Sequence, residues 1–133
     1  MKITKVEVFR LPTANSKQNS PIGCRIHTDV GICGGITEVK KISDMAHAYD
    51  VGIQVHCAGS PLTTNAALHL ECTLPNFLIH EHHTCNRMDT SVGLTKYNLQ
   101  PENGYFTVPD LPGIGNEFLQ EAIDRATLYK AIE

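Results

Sequence analysis

Apolar and polar residues alternate in two stretches near the beginning of the chain, residues 3–9 and 22–27. This period of two predicts a pair of β-strands, and the polar residues 13–21 between them predict a loop. From Thr37 onward the apolar positions recur with helical spacing instead, which predicts a helix that ends near residues 50–52 and turns one stripe toward the core. The stripe consists of Val39, Ile42, Met45, Ala46 and Tyr49.

Strand and helix patterns continue to alternate through the middle of the chain. Residues 53–57 and 77–81 are short apolar runs that predict strands, and residues 61–74 predict a helix between them. This order is typical of parallel βα units, in which functional side chains gather at the carboxyl ends of the strands. His56 and Glu81 fall at such ends, and Asp29 opens a glycine-rich turn over residues 29–35.

The pattern changes after residue 81. The Asn103-Gly104 pair lies between residues 97–99 and 105–108, and this arrangement predicts a β-hairpin. Residues 109–115 predict a rigid loop, and residues 117–132 predict a terminal helix.

Composition narrows the possible functions. The chain has 133 residues, 41% of them hydrophobic and 19% charged, with a formal net charge of -3. These values predict one folded unit that binds neither nucleic acid nor membrane, because no basic patch and no spanning apolar run is present. The five cysteines form no C-x-x-C pair and lie mostly in apolar segments. We expect buried, reduced thiols and a cytoplasmic protein.

Several segments match one protein family in its own order. Residues 29–38 (DVGICGGITE), 53–61 (IQVHCAGSP) and 76–83 (NFLIHEHH) are followed by residues 101–115 (PENGYFTVPDLPGIG). The first three resemble the ends of barrel strands six, seven and eight of the enolase superfamily. The chain is most similar there to the mandelate racemase and muconate lactonizing enzyme type, in its acid-sugar dehydratase-like branch.

The resemblance implies an α/β fold: a fragment of a capping domain joined to the last strands of a (β/α)7β TIM-like barrel. Residues 1–28 would form the capping-domain hairpin, 29–94 the barrel βα units, and 95–133 a segment that returns to the capping domain. The hairpin runs directly into strand six at Asp29. Strands one to five, with the family's three acidic Mg²⁺ ligands and its lysine-bearing strand, have no counterpart in the sequence, which predicts an internal truncation.

The family's reaction implies roles for three residues. It is a Mg²⁺-dependent dehydration of a sugar acid, with proton abstraction alpha to the carboxylate and loss of the beta-hydroxyl. His56 matches the catalytic histidine, Asp29 its carboxylate partner, and Glu81 the acid that interacts with the substrate carboxylate. As plain structure, Asp29 is a turn residue and Glu81 a solvated acid. Without the metal ligands, we expect this chain to bind no Mg²⁺ and to be inactive alone.

Three alternatives remain open. A racemase or epimerase of a hydroxy acid would use similar chemistry. A non-catalytic, self-associating fragment is a second alternative, because three barrel strands cannot close a barrel and leave edges open; a homo-oligomer follows from this. A zinc site within residues 80–85 is the third, although the H-E-x-x-H pattern would need histidine where Thr84 stands.

Overall fold

A four-stranded sheet and two helices form the framework of this protein in a computed structural model that describes residues 5–10 and 22–126, with side chains from residue 25 onward. The strands are β1 (Lys5–Arg10), β2 (Ile22–Asp29), β3 (Gly52–His56) and β4 (Phe77–His80). Helix α1 (Ile36–His47) connects β2 to β3, and α2 (Pro61–Glu71) connects β3 to β4. The predicted strand and helix order over residues 22–81 is therefore confirmed.

The sheet has the order β1-β2-β3-β4. Strand β1 pairs with β2 in antiparallel fashion, whereas β2, β3 and β4 are parallel to one another. Parallel pairing in β2 already includes Arg25, which lies opposite Gly52. This small parallel sheet with helical connections confirms the predicted α/β fold class.

The core lies between the sheet and the two helices. Ile53 and Val55 of β3 are fully buried and pack with residues from both helices. Alternation along β3 turns His56 to the opposite face. The buried apolar residues of this cluster are Val30, Cys33, Val39, Ile42, Ala46, Ile53, Val55, Cys57, Ala67, Leu70 and Leu74.

Two predictions about burial were wrong. Met45 and Tyr49 are 59% and 80% exposed, although both were assigned to the core stripe of the helix. Val39, Ile42 and Ala46 define the buried face, and Met45 lies roughly 90° around the helix from the centre of that face, at about 100° per residue. Tyr49 lies beyond the end of α1. Cys72, which follows the last residue of α2, is exposed, although a buried thiol was expected there.

After β4 the chain forms short elements rather than long ones. A 3-10 helix (Thr84–Arg87) and α3 (Asp89–Val92) come first, and α4 (Gln120–Asp124) comes last. The Asn103-Gly104 turn forms, with positive φ at both residues, but only a single bridge between Glu102 and Tyr105 flanks it. The predicted hairpin strands were therefore wrong.

Some predictions cannot be compared with the structure. The predicted terminal helix corresponds to α4 over part of its length, and residues 127–132 lie outside the described residues. The polar loop over residues 13–21 and the side chain of Cys24 lie outside them as well. Within the described ranges, the helices are too short or too polar to cross a bilayer.

Candidate functional site

The parallel strands bring the three predicted site residues to one edge of the sheet. Asp29 is the last residue of β2 and lies in register with His56, the last residue of β3. Oδ2 of Asp29 is 2.5 Å from Nδ1 of His56, although the two residues are 27 positions apart in sequence. Glu81 follows β4 directly and reaches the same cluster of side chains.

Asp29 is held rigidly by the turn that it opens. Its Oδ1 accepts hydrogen bonds from the backbone N–H groups of Gly31 and Ile32, at 2.7 and 3.1 Å. Gly34 and Gly35 adopt φ values of 102° and 90°, which glycine tolerates and side chains disfavour. Asp29 is thus both the turn residue and the partner of His56, so the two interpretations from the sequence are compatible.

Two further histidines surround Glu81, and neither was assigned to the site from the sequence. Oε2 of Glu81 lies 2.5 Å from Nε2 of His27, and Oε1 lies 2.9 Å from Nε2 of His83. Side chains alternate between the two faces of an extended chain, so His83 falls on the same face as Glu81, and this spacing is the sequence signal that identifies it. Burial lowers the pKa of His27, against the opposing effect of Glu81.

The His56 ring is suited to proton transfer. Its side chain is 30% exposed, whereas that of Asp29 is only 7% exposed. A buried carboxylate that accepts from Nδ1 fixes the ring orientation and leaves Nε2 toward a reacting group. The rings of His27 and His83 approach His56 edge-on, with centroids 5.3 and 5.4 Å away. This environment can orient one acid–base group beside a carboxylate.

The donor set of this edge does not match Mg²⁺. Among the described residues, the group that could hold a metal consists of His56, Glu81 and His83, two imidazoles and one carboxylate. Mg²⁺ prefers oxygen ligands in octahedral geometry. The structure also separates the residues 80–85 that were considered for zinc. His80 contacts Glu71 at 2.9 Å and packs on Phe106, away from this group.

The tautomer of His56 can be tested directly. We expect neutral His56 to carry its proton on Nδ1, because Asp29 accepts from that nitrogen. Replacing Asp29→Asn should shift the proton population toward Nε2, since an amide can present a donor to Nδ1. Long-range ¹H–¹⁵N correlation spectra measure both nitrogens. Asp110→Asn, at an exposed aspartate, is the control, and an unchanged tautomer in the Asp29 variant would contradict the assignment.

Comparison with protein families identifies the same region of the chain. The family described as enolase C-terminal domain-like matches residues 25–122. Its first matched residue lies in β2, where parallel pairing begins. Residues 5–10, which form β1, therefore lie outside the matched span.

Individual relatives agree with this match. D-galactonate dehydratase from Cronobacter sakazakii is 33% identical over 103 residues, which cover 74% of this chain and 27% of the relative. The D-galactonate dehydratase of Ralstonia nicotianae is 34% identical over 95 residues, which cover 68% of this chain and 25% of the relative. The chain thus spans about a quarter of the length of these dehydratases.

Solved structures show the same similarity in three dimensions. A member of the enolase superfamily from Salmonella Typhimurium has a TM-score of 0.73 and 48% identity, covering 76% of this chain and 26% of its own. An enolase of the mandelate racemase subgroup from Agrobacterium tumefaciens has a TM-score of 0.65 and 29% identity, covering 75% of this chain and 26% of its own. The resemblance that the sequence motifs indicated is confirmed.

Proposed function

Because this chain belongs to the enolase C-terminal domain-like family, we propose that it carries the acid–base part of a sugar-acid dehydratase site. The observation that supports this proposal is the contact between Asp29 and His56 across the ends of two parallel strands. The sequence similarity to D-galactonate dehydratases favours a sugar acid as the ligand. A racemase or epimerase of a hydroxy acid would use the same dyad and is the alternative chemistry.

His56 is the proposed acid for the departing hydroxyl. In a dehydration, a base takes a proton from the carbon beside the carboxylate, for which the family has its lysine-bearing strand. The beta C–O bond breaks, and the hydroxyl leaves as water with a proton from His56. The resulting enol becomes a 2-keto-3-deoxy acid. Asp29 stabilises the protonated ring and keeps it aimed at the substrate. Glu81 contacts His27 and His83, which both lie next to the His56 ring. We assign to Glu81 the contact with the substrate carboxylate.

The 133-residue chain alone is proposed to be inactive. In the family, Mg²⁺ supplies the charge that stabilises the enediolate intermediate, and the ligand set described above does not fit this ion. His56 can therefore exchange a proton in this chain, but no group stabilises the carbanion, so the exchange does not lead to dehydration. A catalytically complete form of the site would need the carboxylates that the resemblance assigns to strands one to five.

A sugar acid provides the test of this proposal. We expect D-galactonate to shift the NMR signals of the His56 ring in a saturable manner, and the neutral sugar galactose to have no effect because it lacks the carboxylate. The exposed His47 on α1 is the internal control. Shifts at His56 no larger than those at His47 would refute the binding site. When Mg²⁺ is added together with D-galactonate, we expect no keto acid to form. Keto acid that forms with the wild type and not with His56→Asn would refute the proposed inactivity.

Self-association is a second proposed property, supported by a specific surface. Strand β4 lies at the end of the sheet order, and its apolar residues Phe77, Leu78 and Ile79 are 38%, 57% and 57% exposed. An open groove of about 620 Å³ runs between this strand and residues 101–108. An apolar edge strand is a template for another chain, and we propose that a second copy covers it.

We propose a cytoplasmic location as well. The cysteines Cys57, Cys72 and Cys85 are thiols rather than disulfides in the part of the chain described. Thiols in this state are favoured by a reducing compartment.

A further inference from the structure

Three potential metal ligands from two neighbouring strand ends meet at the carboxyl edge of the sheet. One ligand atom from each of His56, Glu81 and His83 lies within 4.8 Å of the other two. Ligand atoms around a tetrahedral zinc ion are about 3.3 Å apart, given metal–nitrogen distances near 2.0–2.1 Å. Small side-chain rotations are therefore sufficient to bring all three onto one ion. We propose that these residues form a site for a divalent transition metal of the zinc class.

The surroundings of the three ligands are those of a built metal site. Asp29 accepts from Nδ1 of His56, so Nε2 is the nitrogen that remains for coordination. A carboxylate behind a ligating histidine is the usual arrangement around protein-bound zinc, because it fixes the ring and increases its basicity. On the other side, His27 contacts Oε2 of Glu81 and leaves Oε1 on the His83 side. Both supporting residues are more buried than the ligands they hold.

The donor types select the class of metal. Two imidazoles and one carboxylate suit Zn²⁺, Co²⁺, Ni²⁺ or Fe²⁺, whereas Mg²⁺ and Ca²⁺ prefer oxygen ligands. Three protein ligands leave a fourth position for water or for an anionic ligand, as in catalytic rather than structural zinc sites. The His83 side chain is 43% exposed, so the ion has access from solvent.

This inference does not depend on the proposed dehydratase function. The metal site requires His83 as a ligand, whereas the proposed dehydratase function uses His83 only as a neighbour of Glu81. His83→Gln should therefore weaken metal binding at least 10-fold, and this is measured with Co²⁺ and no sugar acid, whereas the D-galactonate response of His56 is measured on the wild type with no metal. Failure of one proposal can thus be distinguished from failure of the other.

Titration with Co²⁺ alone, followed by displacement with Zn²⁺, tests the site on the full 133-residue chain. We expect one equivalent of Co²⁺ with the visible absorption of a four- or five-coordinate ion. His83→Gln should weaken binding at least 10-fold, and Asp29→Asn should weaken it about 10- to 100-fold by removing the support of His56. His47→Gln, at an exposed histidine on α1, is the matched control and should bind as the wild type does.

Several results would overturn the proposal. Equal Co²⁺ affinity of the wild type and His83→Gln would contradict the proposed site. An equal loss of Co²⁺ affinity in His47→Gln and His83→Gln would also contradict it, because it would show that exposed histidines bind the ion. Displacement of Co²⁺ by an equal concentration of Mg²⁺ would point to an oxygen site instead. Circular dichroism shows whether each variant is folded, and Glu81→Gln replaces His83→Gln if that variant unfolds. Retained affinity in folded Glu81→Gln would contradict the proposal equally.

Discussion

Replacing Glu71→Ala is expected to reduce the free energy of unfolding by about 2–4 kcal/mol at pH 6, because it removes the partner of a buried histidine. Nδ1 of His80 donates to both carboxylate oxygens of Glu71 at 2.9 Å. The two side chains are only 9% and 4% exposed, so water cannot substitute for the lost contact. The pair links the end of α2 to the end of β4.

The pH dependence identifies the charge on His80. Burial lowers the pKa of His80, but the neighbouring Cys57 and Glu71 side chains outweigh it and raise this pKa from 6.5 to about 9. The resulting stabilisation is fully present below pH 6.5 and is lost as the pH rises through about 9. Burial also raises the pKa of Glu71, against the effect of His80, so its contribution likewise decreases with increasing pH, starting above pH 4.5. The free energy of unfolding of the wild type should therefore decrease by roughly 2–3 kcal/mol between pH 6 and pH 9.5.

Urea denaturation at pH 6, 7.5 and 9.5 measures both effects. Glu71→Gln keeps the shape of the side chain and separates the loss of charge from the loss of packing. Glu121→Ala, an exposed glutamate on α4, is the control and should change stability by less than about 0.5 kcal/mol. A stability of wild type that is constant from pH 6 to 9.5 would contradict the proposed histidinium, as would equal effects of Glu71→Ala and Glu121→Ala.

The dyad at the site could be predicted from the sequence, but the Glu71–His80 pair could not. Asp29 and His56 end two strands joined by one helix, and parallel pairing places such ends side by side. For His80, alternation gives only the face of the strand. Its partner depends on how far α2 is rotated and shifted over the sheet, which packing determines and a one-dimensional pattern does not contain. The same rotation decides that Met45 is exposed while Ala46 is buried.

The Asn103-Gly104 turn could be predicted from the sequence, because the backbone conformations of these two residues determine it. The Asn103-Gly104 turn forms because both residues accept positive φ, yet the residues around it do not extend into strands. Side-chain contacts hold this part of the chain instead. Asn65 of α2 donates to the carbonyl of Ile114 and accepts from Asn116, over separations of 49 and 51 residues. Hydrogen bonds of such long range leave no periodic signal in the sequence.

Replacing Ile79→Lys is expected to weaken self-association at least 10-fold. Ile79 is 57% exposed on β4, the terminal strand of the sheet, and lines the open groove there. Burying the exposed part of this isoleucine side chain contributes about 1–2 kcal/mol, and a twofold dimer would bury two copies. A lysine at this position removes that contribution and places like charges opposite each other on the edge strand.

Met45→Lys is the matched control for this variant. Met45 is 59% exposed, almost the same as Ile79, but it lies on α1 instead of the edge strand. Sedimentation equilibrium over a wide concentration range measures the apparent molecular mass. With increasing concentration, this mass should rise above 14.6 kDa for the wild type and for Met45→Lys, whereas that of Ile79→Lys should stay near 14.6 kDa. Monomeric wild type at every concentration would exclude a second copy at β4, and equal effects of the two lysines would attribute the change to net charge. Association lost only in Ile79→Lys would show that the open strand of this barrel fragment is completed by another chain.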